Sequence, residues 1–77
     1  MNLTRETFKE KMADFLKVNV SRLDDSAILT DLVIESFVLV EMVIELQEEF
    51  GVRLVQEDLK AVKTVGDLMK VFETHVK

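Results

Sequence analysis

Hydrophobic residues recur along this chain at helical rather than strand spacing. Phe8, Met12, Phe15 and Leu16 fall at i, i+4, i+7 and i+8, which predicts a first helix over residues 4–18. Thr4 suits its N-cap, Leu3 and Phe8 have the spacing of a hydrophobic staple, and Glu6 favours the positive end of the helix dipole. Residues 19–30 read as a long connection. Ser21, Arg22, Asp24, Asp25 and Ser26 make it polar, while Val20, Leu23, Ile28 and Leu29 are placed to pin it to the core. A connection of that length in a small domain must be anchored or functional.

A second helix is expected over residues 36–50, ended by Gly51 in the left-handed conformation. On a wheel of 100° per residue with Ser36 at zero, Leu39, Val43, Leu46 and Phe50 cluster between about 280° and 340° as the core stripe. Phe37, Val40, Ile44 and Gln47 form a second edge between about 20° and 100°, and Glu48, Glu41 and Glu45 follow it from about 120° to 180°. Val38 falls within that acidic side and is expected to be exposed. Residues 51–55 are too short for a lone strand and read as a connector. Residues 56–62 suit a short helical turn with Leu59 inward. A last helix opens at Thr64, whose spacing to Asp67 is that of a capping box. Val65, Leu68 and Phe72 give it an apolar face, and Lys70 and His75 suit its C-terminal half. The expected fold is all-α: a small four-helix bundle of three main helices and one short one, with the long loop between the first two. With no repeat or linker, residues 1–77 read as one domain.

Composition narrows the chemistry. A chain of 77 residues buries ~60% of its unfolded surface, so its core is worth a few kcal/mol at most. It has no Cys and one His (His75), which excludes disulfides, a thiolate nucleophile and a His or Cys metal cluster. No apolar run approaches a membrane span and no signal segment is evident, so a soluble, cytoplasmic, monomeric domain is expected. The net charge of −5 has the wrong sign for nucleic acid. Residues 23 to 52 contain no Lys or Arg but eight acids, and this segregation points to a surface that meets basic partners. The same stretch is too rich in Leu, Val, Ile and Phe to be a disordered tail.

No catalytic constellation emerges. The Asp24-Asp25-Ser26 run lacks the spacing and glycine of a calcium loop, His75 reads as a solvated helix-end residue, and Met1, Met12, Met42 and Met69 read as core filling. Ser36 remains, at the start of the acidic helix after the bulky Val33 and Ile34. It reads either as an N-cap serine or as an attachment point, where a phosphodiester would meet free backbone N–H groups and the positive end of the dipole. Nothing beside it could activate it as a nucleophilic catalyst.

The segment Asp31-Leu32-Val33-Ile34-Glu35-Ser36-Phe37-Val38-Leu39-Val40-Glu41-Met42 resembles the acyl carrier protein signature, Asp-Ser-Leu followed by a helix containing Val-Glu. The similarity covers almost the whole chain, including Glu48-Glu49-Phe50 and the Thr64-Val65-Gly66-Asp67-Leu68 opening of the last helix. The resemblance implies that Ser36 carries 4'-phosphopantetheine, added from coenzyme A by a phosphopantetheinyl transferase. Acyl groups would ride as thioesters on the arm's thiol. It further implies that Glu35, Glu41 and Glu48 meet basic patches on the transferase and on acyl-processing enzymes such as a ketosynthase or acyltransferase. Phe37, Val38, Val40 and Ile44 would add apolar contact. Glu35 stands where the family usually has Asp, Phe37 where Leu is usual, Val33 where many members have Gly, and Val38 where a polar or acidic residue is common. The bulkier surface suggests a carrier dedicated to a polyketide or specialised fatty-acid pathway. A peptidyl or aminoacyl carrier shares the same fold and serine, and a helical adaptor for basic partners is the alternative outside the carrier class.

Overall fold

Four α-helices form the protein in the computed structural model, which describes residues 2–76. They are α1 (Arg5–Leu16), α2 (Phe37–Phe50), α3 (Gln56–Leu59) and α4 (Val65–His75), with 3-10 turns at Val20–Arg22 and Leu29–Asp31 in the long linker. The expected all-α bundle of three main helices and one short one is what forms, and the described residues contain no strand, only an isolated bridge between Ile28 and Thr64. No helix among them is long and apolar enough to cross a membrane.

The helix ends follow from local chemistry. Thr4 is extended and its hydroxyl accepts the Thr7 N–H, while the Thr7 hydroxyl accepts the Thr4 N–H, a reciprocal pair in which Thr7 takes the usual Glu or Gln place. Thr64 and Asp67 close the same box on α4. Backbone N–H groups of Lys63 and Thr64 both donate to the Asp67 carboxylate and hold its pKa below the ordinary value. α2 ends at Gly51 with φ +65°, a conformation glycine adopts without strain.

The core is built on Phe8, Met12, Met42, Leu46, Val65, Leu68, Met69 and Phe72, with Leu23 from the linker. Phe8 is its hub: its ring lies 5.0 Å edge-on to Phe72 and 5.9 Å from Phe50. Met12, Met42 and Met69 are core filling as expected, whereas Met1 lies outside the described residues. Two expectations need correction. On α2 the deepest residue is Met42, absent from the predicted stripe, while Leu39 and Val43 are only half-buried. In the linker Leu23 and Leu29 are buried, but Val20 and Ile28 are 46% and 41% exposed.

Those two side chains are not needed as anchors because backbone bonds hold the linker instead. Leu29 N–H donates to Lys63, Val65 N–H to Ala27 and Gly66 N–H to Asp25. The approach at Gly66 is close: a Cβ there would meet Asp25 Cβ and carbonyl oxygen at 3.1 Å. The Asp25 carboxylate is gripped in turn by Arg5 and, at 2.9 Å, by Lys9 of α1. Linker, α1 and α4 are therefore tied together on one side, and α2 is left to present its outer face.

Candidate functional site

At the end of the linker the chain leaves the core step by step. Leu32 packs against the core, Val33 is half-buried, and Ile34, Glu35 and Ser36 are exposed. Ser36 stands at the entrance of α2 but does not cap it, and its backbone explains why. A capping hydroxyl reaches the N–H of N2 or N3 from an extended backbone, as Thr4 (φ −128°, ψ 165°) and Thr64 (φ −114°, ψ 167°) do. Ser36 is already helical (φ −65°, ψ −25°), and its side chain makes no capping hydrogen bond. The capping-serine reading therefore fails, and the hydroxyl projects into solvent.

The first turn also corrects the expectation of free donors. Val38 N–H donates to Glu35 at 3.1 Å and Leu39 N–H to Ser36 at 3.0 Å, so two early donors are satisfied within the chain. The helix dipole remains to favour an anion. α2 is also the one α-helix among the described residues with no acid in its first turn to offset that dipole.

From Ser36 the exposed edge of α2 runs as the wheel placed it. Phe37, Val40 and Ile44 are 56%, 61% and 52% exposed, and Glu35, Glu41 and Glu48 are exposed beside them. Among the described residues none of these three acids is ion-paired within the chain. Asp25 and Glu49, by contrast, are taken up by α1: Glu49 sits 3.1 Å from Lys11. Within the acidic block, Asp25 and Glu49 are thus tied to the fold, while Glu35, Glu41 and Glu48 stand exposed.

Val38 departs from its expected place. It is half-buried, because it lies one turn before the fully buried Met42 on the same side of the helix. Two residues were not singled out as site candidates. Ile34 is as exposed as a residue can be, at 103% of its reference area. Gln47 turns its Oε1 to the Leu54 N–H at 2.8 Å, fixing the connector after α2 beside an open groove lined by Ile44, Glu48, Gly51 and Arg53. Ile34 carries no periodic signal; Gln47 could have been found from the unpaired amides a five-residue connector must have. No group of three or more potential metal ligands occurs among the described residues.

Fold and site together define a small helical domain that presents one unbonded serine hydroxyl at the head of an acidic, partly apolar helix. Comparison with known proteins places that class. The family model for the phosphopantetheine attachment site matches residues 6–72. An acyl carrier protein of Clostridium perfringens (strain SM101 / Type A) is 33% identical over 73 residues, covering 94% of this chain and 96% of the relative. Acyl carrier proteins of Wolinella succinogenes (31% over 71 residues, 91% of this chain and 93% of the relative) and Clostridium acetobutylicum (29% over 73 residues, 94% and 95%) are similar over the same extent. The chain belongs to the acyl carrier protein family, a carrier and not an enzyme, whose covalently attached prosthetic group is 4'-phosphopantetheine. An exposed serine with a free hydroxyl at a helix start fits the attachment of such a phosphodiester.

Proposed function

We propose that Ser36 is the attachment residue and that the domain, spanning residues 1–77, carries acyl intermediates for a polyketide or specialised fatty-acid pathway. The observation that carries this reading is the Ser36 hydroxyl, exposed and without the capping bond that its position would ordinarily make. Attachment forms a bond from Ser36 Oγ to phosphorus and breaks the pyrophosphate bond of coenzyme A. Adenosine 3',5'-bisphosphate leaves, and the hydroxyl proton passes to a base of the transferase. The chain supplies no such base at Ser36, consistent with modification by a separate enzyme. Once bound, the group supplies a thiol for thioester formation, in a chain that has no Cys.

The chain's own residues orient the partner. Glu35, Glu41 and Glu48 attract basic patches on the phosphopantetheinyl transferase and on a ketosynthase or acyltransferase, while Phe37, Val40 and Ile44 supply apolar contact. Rim charges of this kind speed encounter and set orientation without binding so tightly that release is slow. Val38 contributes less than the sequence implied, because half of it faces inward. Phe37 in place of the family's usual Leu favours a dedicated partner, and with it a specialised pathway.

Incubating the apo-protein with coenzyme A and a broad-specificity transferase, then measuring intact mass, tests the attachment. One phosphopantetheinyl group should add to the wild-type chain and none to Ser36→Ala. An adduct that persists in Ser36→Ala would overturn the assignment. Loading assays with different acyl thioesters then test the pathway.

A further inference from the structure

Ile34 is fully exposed in a chain whose neighbouring apolar residues, Leu32 and Val33, are packed or half-packed. An isoleucine in that state contributes nothing to the fold by burial, because its surface is as wet folded as unfolded. It stands two residues before Ser36 in the chain, and Phe37 and Val40, which follow the serine, are exposed apolar residues as well. Glu35 and Glu41, neighbours of these residues in sequence, are exposed and not ion-paired among the described residues.

We infer that Ile34 is a specificity-determining contact for the enzyme that modifies Ser36: it docks in an apolar recess of a phosphopantetheinyl transferase whose rim is basic. The inference rests on Ser36 being the attachment residue. Two observations select this occupant over others. An enzyme acting on Ser36 Oγ must cover the surface on both sides of that atom, which includes Ile34. The carboxylates of Glu35 and Glu41 set the charge of the surface that can close over it. An isoleucine side chain offers no acid, base or hydrogen-bond donor to the transfer, so its effect falls on association. The apolar contact is lost with the side chain and leaves the chemical step as it was.

The test uses a transferase that modifies the wild-type chain with measurable kcat and KM, coenzyme A, and four variants. Ile34→Ala should raise KM for the carrier about tenfold, equivalent to ~1.4 kcal/mol, with kcat unchanged. Ile34→Val should recover most of that loss. Val20→Ala removes a comparably sized exposed apolar side chain beside Arg5, Glu6 and Lys9 of α1, off the α2 surface, and should leave both constants unchanged. Thermal midpoints of all three should match the wild type. An unchanged KM in Ile34→Ala overturns the inference while leaving the attachment reading intact. So does an equal loss in Val20→Ala, or a loss accompanied by a lower thermal midpoint. Ser36→Ala separates the two ideas: mass gained by wild type and not by this variant secures the attachment site independently of Ile34. A wild-type chain that takes no mass at Ser36 overturns both.

Discussion

Thr64 and Ser36 both stand at the entrance of a helix, yet only Thr64 is bonded to the helix it opens. Thr64 is extended, accepts the Asp67 N–H at 3.0 Å and returns its own N–H to the Asp67 carboxylate, and the helix behind it buries Val65, Leu68, Met69 and Phe72. Ser36 is rotated into the helical region, bonds to nothing through its side chain, and opens a helix whose outer edge exposes Phe37, Val40 and Ile44. The hydroxyl that caps the start of α4 is stabilising; the hydroxyl at the start of α2 is held available. In one small fold, the same residue chemistry serves stability at one helix start and accessibility at the other, and the backbone dihedral decides which.

The sharpest way to break the comparison is to delete both hydroxyls. Ser36→Ala should abolish modification completely, read by intact mass, while changing stability by no more than ~0.5 kcal/mol in denaturant titration. Thr64→Ala should do the reverse: lose ~1 kcal/mol and remain a full substrate. If Ser36→Ala is destabilised as much as Thr64→Ala, the serine caps α2 in solution and the contrast fails. The next contrast is between two phenylalanines. Phe72 is fully buried 5.0 Å from Phe8, so Phe72→Ala should cost ~3–5 kcal/mol and threaten folding of a domain this size. Phe37 is 56% exposed, so Phe37→Ala should leave the unfolding midpoint near wild type and weaken partner turnover.

The charged edge gives a smaller and salt-dependent effect. Replacing Glu41 and Glu48 with Lys should slow modification about tenfold at low salt, with the gap narrowing as ionic strength rises and circular dichroism unchanged. A loss of helical signal in the double variant would mean that these acids support α2 rather than face a partner.

What was legible beforehand follows a physical division. Caps, stops and stripes are local, and they were readable: Thr4, Gly51, the Thr64–Asp67 box and the exposed Phe37, Val40 and Ile44 edge all lie where periodicity put them. The misplaced residues are those whose environment is set by distant chain. The wheel places Val38 by its acidic neighbours and leaves Met42, itself read as core filling, out of the stripe; the arc of α2 that is covered depends on how the rest of the bundle meets it, and that arc is shifted toward Met42. Val20 and Ile28 are apolar without being anchors, because Lys63, Ala27 and Asp25 carbonyls hold the linker through backbone bonds invisible to a hydropathy pattern. At the site, the position of Ser36 was readable and its dihedral was not, although the dihedral is what frees the hydroxyl.

The smallest predicted effect concerns the side of the molecule opposite in purpose to α2. Asp25 joins α1 to the linker, and hydrogen bonds first from Arg5 and then from Lys9 hold its pKa at about 2, below the ordinary carboxylate value. A carboxyl whose pKa is depressed on folding stabilises the native state above its unfolded pKa. That contribution is therefore fully present above about pH 4 and fades as the pH falls toward 2. The group is solvent-exposed, so the effect is modest and is weakened further by salt. Asp25→Asn should melt slightly below wild type at neutral pH, and the two melting curves should converge between pH 4 and pH 2. Because Gly66 N–H bonds to the Asp25 backbone carbonyl and not to its carboxylate, the variant keeps that link between linker and α4. Modification at Ser36 should then proceed at the wild-type rate. A variant that melts as wild type does at every pH would mean the ion pairs add nothing to the tie. One that is modified more slowly would mean the clamp, and not only α2, sets how Ser36 is presented.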